Sequence, residues 1–131
     1  MPDPRNDPPH SAEQLGVHAE IPSAHTVVLV LTGELDHHTS KRLTQSVDAQ
    51  LQGPHRVALV LLDLSGLSLV DSTGLTSLLK VRQAVSHTGG EVALIAPSTQ
   101  VQRMLDITGI NQVFSLYPDR HAAIDAHVHQ F

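Results

Sequence analysis

The chain has 131 residues, a formal charge of −5 and no cysteine. Its residues are 40% hydrophobic and only 2% aromatic, which predicts one domain with an aliphatic core. The negative charge argues against a nucleic-acid-binding protein and against docking on an anionic membrane, because no basic surface is available. Without cysteine there are no disulfides, and no apolar run is long enough to cross a bilayer. We expect a soluble cytoplasmic protein.

The first third of the chain predicts a tail and a hairpin. Residues 1–11 hold four of the eight prolines, so we expect a disordered tail before one domain over residues 12–131. Residues 15–21 alternate between apolar and polar, as in a half-buried strand. After a turn, the apolar run at residues 26–32 predicts a strand buried on both faces. The short turn predicts that these two strands are antiparallel, with the first strand at a sheet edge.

Three alternations of strand and helix follow. The predicted strands cover residues 56–63, 91–96 and 113–117, and the predicted helices cover residues 36–51, 72–87 and 99–108, with a last helix opened by Pro118 and Asp119. Alternating strands and helices with short connections predict parallel strands joined by right-handed crossovers. The predicted fold class is α/β, with a mixed, mostly parallel sheet of about five strands, an antiparallel N-terminal edge strand and about four helices.

Apolar spacing predicts the buried face of each helix, and polar residues predict where each helix starts. The predicted inner faces are Leu43, Val47 and Leu51, then Leu75, Leu78, Leu79, Arg82 and Val85, then Val101, Met104 and Leu105, and finally Ile124, Val128 and Phe131. The predicted N-caps are Asp36, then Asp71 or Ser72, and Thr99 in a capping box with Gln102.

Two polar loops follow the second and third predicted strands. If these strands are parallel neighbours, both loops emerge at the carboxyl edge of the sheet, where partner and ligand sites of open α/β sheets lie. The candidate site residues are Gly33, Glu34, Asp36, His37, His38, Thr39, Asp71, Ser72, Thr73 and Gly74. Ser72 places a hydroxyl at a helix N-terminus, which suits a phosphate because of its unpaired N–H groups and partial positive charge. The plainer interpretation is an N-cap.

The sequences of these loops resemble a known family. Residues 32–39 (TGELDHHT), 63–67 (DLSGL) and 70–75 (VDSTGL) are similar to the STAS domain of bacterial anti-sigma factor antagonists, above all the sporulation type. The resemblance covers about residues 15–120. It implies a regulator that binds an anti-sigma factor, itself a serine kinase with a histidine-kinase-like ATPase fold, and thereby frees the sigma factor.

The resemblance also implies a switch at Ser72. The partner kinase would phosphorylate Ser72 and a PP2C-type phosphatase would reverse this. A phosphoserine carries about −1.5 to −2 charges at neutral pH. The helix N-terminus would tolerate this charge, whereas an interface beside Asp71 would not, so we expect a block of binding without unfolding. Ser72 is then expected to be both cap and phosphate acceptor.

The chain departs from the family pattern at two positions of this helix. Thr73 stands where some members have a second serine, and it keeps a hydroxyl. Thr76 stands where many members have glycine, which alters how closely a partner helix can approach. The proline-rich tail is an addition to the pattern.

Two enzyme interpretations compete with this one. Ser77 and Lys80 have the spacing of a Ser-x-x-Lys nucleophile pair, but no companion Ser-Asp-Asn or Lys-Thr-Gly motif follows. Ser72 as a hydrolase nucleophile lacks the Gly-x-Ser-x-Gly elbow. We therefore expect no catalytic residues, no enzyme activity and no cofactor.

Histidine pairs suggest a metal site, and a STAS module without a switch is a further alternative. The metal candidates are His37 with His38, and His121, Asp125, His127 and His129. Neighbouring histidines on a helix point in different directions and two ligands do not make a site, so we expect solvated side chains. An unswitched module would bind or scaffold in a stress-signalling or transport-regulating complex, and purification with the native partner separates the two functions.

Overall fold

Five strands form one sheet whose spatial order follows the chain. The computed structural model describes residues 14–127. The strands are β1 (Gly16–Ser23), β2 (Thr26–Leu35), β3 (Leu59–Val70), β4 (Glu91–Ile95) and β5 (Ser115–Tyr117), and the helices are α1 (Ser40–Leu51), α2 (Ser72–His87), α3 (Thr99–Thr108) and α4 (Arg120–His127), with a short 3₁₀ turn at Ile110–Gln112. The first strand pairs antiparallel with the second, and the remaining pairs are parallel. The predicted fold class is confirmed.

Some predictions fall on residues outside the described range. They are the proline-rich tail at residues 1–11, the placement of Val128 and Phe131 on the last helix, and the side chain of His129.

One face of the sheet carries most of the core. Leu29 of β2 and Leu62 of β3 lie in one cluster with Leu43 of α1, Leu78 of α2 and Leu105 of α3, and all five are almost completely buried. Burying one such leucine contributes roughly 1.5–3 kcal/mol to folding. Three helices thus share one apolar layer, which fixes the positions of their N-termini relative to the sheet.

The last helix, α4, covers the other face. Its Ala123 packs in a smaller cluster with Leu61 and Ile95. An ion pair joins α4 to the first strand, because Nη1 of Arg120 donates to Oε1 of Glu20 at 2.7 Å. The two ends of the described chain are therefore connected across this face.

The third strand is longer than its sequence predicts. We expected a strand ending at Asp63 and then a loop, but β3 continues to Val70, which pairs with Leu35 at the end of β2. Register irregularities in the β2–β3 pairing shift the buried positions, so that after Leu62 the buried residues follow at a spacing of two and then three, at Leu64, Leu67 and Val70. This spacing matches no regular strand pattern, and the loop prediction was therefore wrong.

The inner face of α2 is also partly different. Leu75, Leu78 and Val85 are buried as predicted, but Leu79 is 38% exposed and Arg82 is exposed. Val81 is buried in their place. Positions i, i+3, i+6 and i+10 from Leu75 define the stripe, and the prediction was set about one residue too far around the helix.

Two predicted caps lie at the wrong residue. The first helix begins at Ser40, a full turn after Asp36, so Asp36 is not its N-cap. The third helix is capped by Ser98 and not by Thr99, since Oγ of Ser98 accepts the N–H of Val101 at 3.3 Å. In both places several polar residues precede the helix, and their order in the sequence does not decide between them.

The last strand and helix follow the prediction closely. The strand begins at Ser115 rather than Val113, and it lies at the sheet edge. Asp119 opens the last helix as expected, because its Oδ1 accepts the N–H of Ala122 at 2.8 Å.

Candidate functional site

The loop after β2 and the start of α2 lie side by side at the carboxyl edge of the sheet. The two strands run parallel, and Leu35 pairs with Val70 at their ends. The N–H of Asp71 then donates to the carbonyl oxygen of Leu35 at 3.1 Å. The juxtaposition expected from strand order is therefore present in the structure.

Gly74 allows this close approach. A Cβ at this position would overlap the carbonyl oxygen of Leu35. The glycine therefore lets the first turn of α2 pack directly against the end of β2. Gly33 was expected in the neighbouring loop but lies near the end of β2, beside a register irregularity. Its φ of +93° is a left-handed conformation that suits glycine.

The carboxylate of Asp71 joins the two loops. Its Oδ1 accepts the N–H of Gly74 at 2.8 Å and so caps α2. Its Oδ2 accepts the backbone N–H of His37 at 3.2 Å and lies 3.5 Å from Nδ1 of the same histidine. The cap of α2 is thus Asp71, and the expectation that Ser72 is a cap was wrong.

Asp71 is held as an anion by these contacts. Partial burial raises the pKa of the Asp71 carboxyl, but the hydrogen bonds from Gly74 and His37 and the nearby His37 ring outweigh it. The net result is a pKa below the ordinary value of 3.8. A fixed negative charge therefore lies directly before Ser72 at neutral pH.

Asp36 and Thr39 shape the other loop from within. Oδ1 of Asp36 accepts the N–H groups of His38 at 2.9 Å and of Thr39 at 3.1 Å. The buried Thr39 accepts the N–H of Asp36 at 2.9 Å and donates to the carbonyl oxygen of Glu34 at 2.9 Å. These bonds close a turn before α1 and leave His37 and His38 exposed, with ring centres 3.9 Å apart.

Ser72 and Thr73 are the exposed first residues of α2. The carboxylate and carbonyl of Asp71 take the N–H groups of Gly74 and Leu75, which leaves those of Ser72 and Thr73 at the open end of the helix. One turn later, the exposed Thr76 donates its hydroxyl to the carbonyl oxygen of Ser72 at 3.1 Å. The serine hydroxyl is thus presented to solvent on a well-anchored helix start.

The remaining candidates from the sequence are the Ser77–Lys80 nucleophile pair and the metal ligands. The hydroxyl of the buried Ser77 donates to the carbonyl of Gly74 at 2.6 Å, so its proton is committed there and not to Lys80. Within residues 14–127, no group of three or more His, Asp or Glu side chains is placed to hold a metal ion.

His127 is not the solvated side chain that we expected. It is 4% exposed, its Nδ1 lies 2.7 Å from the carbonyl oxygen of Ala123, and its ring packs edge-on against Tyr117. The sequence places it on the packed side of a helix, four residues after Ala123. His121 and Asp125 on the same helix are exposed as predicted.

None of the helices within the described residues is both long and apolar enough to span a membrane.

Comparisons with known proteins agree with this architecture. The model of the STAS domain family matches residues 17–123. An anti-sigma F factor antagonist from Paenibacillus polymyxa is 32% identical over 98 residues, which cover 75% of this chain and 83% of that protein.

Two solved structures show the same fold. One is the anti-sigma factor antagonist SpoIIAA in its unphosphorylated form, with 24% identity, a TM-score of 0.70, and coverage of 86% of this chain and 96% of that one. The other is the Bacillus cell fate determinant SpoIIAA in the phosphorylated form, with 25% identity, a TM-score of 0.65, and coverage of 85% and 98%. The chain therefore belongs to the STAS domain family, with relatives named as anti-sigma factor antagonists.

Proposed function

We propose that this protein is an anti-sigma factor antagonist whose binding is switched at Ser72. In the unphosphorylated form it binds an anti-sigma factor that is also a serine kinase, and the sigma factor is released. Phosphorylation of Ser72 blocks this binding, and a PP2C-type phosphatase restores it. The protein acts by binding in the cytoplasm, without catalysis, nucleic-acid contact or membrane attachment. The partner surface comprises residues 33–39, at the end of β2 and in the loop after it, and residues 71–74, at the start of α2.

The observation that carries the proposal is the position of Ser72. It is the exposed first residue of α2, and it lies beside a second exposed loop at the same sheet edge. A kinase can reach such a hydroxyl without unfolding the helix. A phosphate there is compatible with the helix N-terminus, so the fold survives modification.

The charge of Asp71 explains how a phosphate would block binding. Its lowered pKa keeps this carboxylate ionised at neutral pH, and it directly precedes Ser72. Phosphorylation adds about −1.5 to −2 charges to this point. A partner that covers the site would have to desolvate both anions together, which disfavours the complex.

A relative supports a switch of this kind. SpoIIAA, which shares the fold, has been solved in phosphorylated and unphosphorylated forms. The extension of this chemistry to Ser72 is our proposal.

Calorimetric titration with the anti-sigma factor tests the proposal. Ser72→Ala should bind like the wild type, because it removes only a hydroxyl. Ser72→Asp should bind at least tenfold more weakly, because it adds a charge beside Asp71. Equal affinity of the two variants would contradict the switch.

The phosphorylation itself is tested by mass spectrometry after incubation with ATP and the anti-sigma factor. We expect one added phosphate on the wild type and on Thr73→Ala, and none on Ser72→Ala. Thr73→Ala is the matched control, since it removes the adjacent exposed hydroxyl. Loss of the phosphate from Thr73→Ala, and its retention on Ser72→Ala, would move the acceptor to Thr73.

A further inference from the structure

A small cleft between α1 and α2 collects both lysines of the chain. Lys41 and Lys80 are the only lysines in the sequence, and both line this cleft of about 70 Å³. Five hydroxyl residues also line it: Ser40, Thr44, Thr73, Thr76 and Ser77. The cleft continues into a groove of about 210 Å³, which shares Thr44 and Lys80.

Neither lysine forms a salt bridge within residues 14–127, although Asp48 lines the groove that Lys80 shares. The ion pairs there involve histidines and Arg120, and none includes Lys41 or Lys80. The whole chain carries a formal charge of −5. Two lysines that line one cleft on an acidic protein make it locally basic. The hydroxyls of Ser40 and Thr73 beside them can donate hydrogen bonds. Those of Thr44, Thr76 and Ser77 already donate to backbone carbonyl oxygens.

The cleft adjoins the proposed switch. Thr73, which lines it, directly follows Ser72 at the start of α2. Thr76, which also lines the cleft, lies one helical turn from Ser72 and bonds its carbonyl oxygen. A charge on Ser72 would therefore be felt in the cleft, since charges one helical turn apart are only partly screened at physiological salt.

The size and charge of the cleft restrict what it can hold. A water molecule takes about 30 Å³ of liquid volume, so the 70 Å³ of the cleft suits a group of a few atoms, such as a carboxylate. We propose that this cleft is the docking point for an acidic side chain, Asp or Glu, of the anti-sigma factor. This inference rests on the proposed function and names the chemistry by which the partner is recognised.

The docking point would add a second way in which phosphorylation of Ser72 weakens partner binding. An incoming carboxylate is attracted by Lys41 and Lys80 in the unmodified protein. With Ser72 phosphorylated, the same lysines face a dianion that competes for them and repels the carboxylate. Part of the loss of affinity on phosphorylation therefore depends on Lys41 and Lys80.

The test compares two double variants of the full chain that change the net charge equally. Lys41→Gln with Lys80→Gln removes the cleft charges. Arg42→Gln with Arg82→Gln removes two exposed charges from the same two helices, and neither arginine lines the cleft. Circular dichroism and thermal melting establish that both variants are folded. Affinity for the anti-sigma factor is then measured at several salt concentrations, with Ser72 unmodified and phosphorylated.

We expect the lysine variant to bind about tenfold more weakly, with a flatter salt dependence and a smaller gap between the two forms of Ser72. The arginine variant should stay within about twofold of the wild type, as is typical of a remote surface charge. Equal losses in the two variants, or none, would overturn the docking point and leave the Ser72 switch intact. Failure of the wild type to bind any anti-sigma factor would overturn the proposed function and this inference together.

A titration with inorganic phosphate alone tests whether the cleft binds a free anion instead. If phosphate shifted the lysine signals in NMR spectra at micromolar concentration, the cleft would be a site for a free anion and the docking proposal would be wrong. No shift below millimolar concentration is the expected result.

Discussion

Two aspartates follow the two central strands, and they stabilise the site in different ways. Asp36 comes after β2 and accepts only hydrogen bonds from its own loop, from His38 and Thr39. Asp71 comes after β3 and divides its two oxygens between its own helix and His37, 34 residues away. The first aspartate closes a local turn, whereas the second couples two loops.

This difference shows why the position before Ser72 matters. A residue that only capped α2 would be replaceable by any good capping residue. Asp71 also fixes the spacing between the two loops of the proposed partner surface, and it keeps a negative charge next to the proposed phosphate acceptor. Changes at Asp71 should therefore affect both loops, and changes at Asp36 only one.

The largest expected effect comes from the close contact between Gly74 and Leu35, which brings Asp71 within hydrogen-bonding distance of His37. Gly74→Ala should destabilise the protein by about 3 kcal/mol in chemical denaturation, because its Cβ would overlap the backbone oxygen of Leu35. The clash exceeds the roughly 1 kcal/mol that alanine gains over glycine inside a helix. Gly53→Ala is the control, since a Cβ there meets its nearest atom at 3.4 Å, and it should change stability little. A stable Gly74→Ala protein would show that the two loops are not packed as described.

Asp71→Ala should cost about 2 kcal/mol, because it removes a helix cap and a bond between loops. Amide hydrogen exchange then separates the two losses. We expect faster exchange at Gly74 and also at His37. Ser98→Ala, which removes the cap of α3, is a matched control that should leave the amides of Gly74 and His37 protected. Unchanged protection of His37 in Asp71→Ala would mean that Asp71 is only a cap.

Asp36→Ala should cost less, about 1 kcal/mol, since only the local turn opens. Faster exchange is expected at the amides of His38 and Thr39, while that of Gly74 stays protected. If Gly74 also lost protection, the two aspartates would not differ in the way that the geometry indicates.

The smallest expected effect is the loss of the contribution of Asp71 to stability at acidic pH. Because the pKa of Asp71 is lowered on folding, its contribution to stability is complete above about pH 4 and is lost as the pH falls through the lowered value. Asp71→Asn has no carboxyl to titrate, so the stability difference between wild type and variant should shrink below pH 4. Urea unfolding at pH 7, 4 and 3 measures this. A difference that stayed constant with pH would contradict the assignment.

Much of the fold follows from local patterns in the sequence. The apolar run of β2 and the spacing of Leu75, Leu78 and Val85 each reflect burial that a single element determines. The alternation in β1 predicts the strand but not its buried side, since Ala19 and Ile21 are exposed. Short connections then permit only a parallel arrangement after the hairpin. The mixed sheet and the neighbouring loops were therefore predictable.

The remaining features depend on contacts between distant residues. The continuation of β3 to Val70 needs register shifts against β2, which no pattern in one strand records. The bond between Asp71 and His37 requires that continuation and the missing side chain of Gly74. In the same way, the sequence shows two lysines 39 residues apart but not the cleft that they share. The burial of His127 was also missed, because the residue type of a histidine does not distinguish a buried helix position from a solvated one.

The most direct test is the affinity of protein that carries phosphoserine at position 72 by site-specific incorporation. Titrated with the anti-sigma factor, unmodified protein should bind tightly, and the phosphoprotein should bind at least a hundredfold more weakly, with an unchanged circular dichroism spectrum. Equal binding of the two folded proteins would contradict the account. Weak binding of an unfolded phosphoprotein would contradict the proposed electrostatic mechanism.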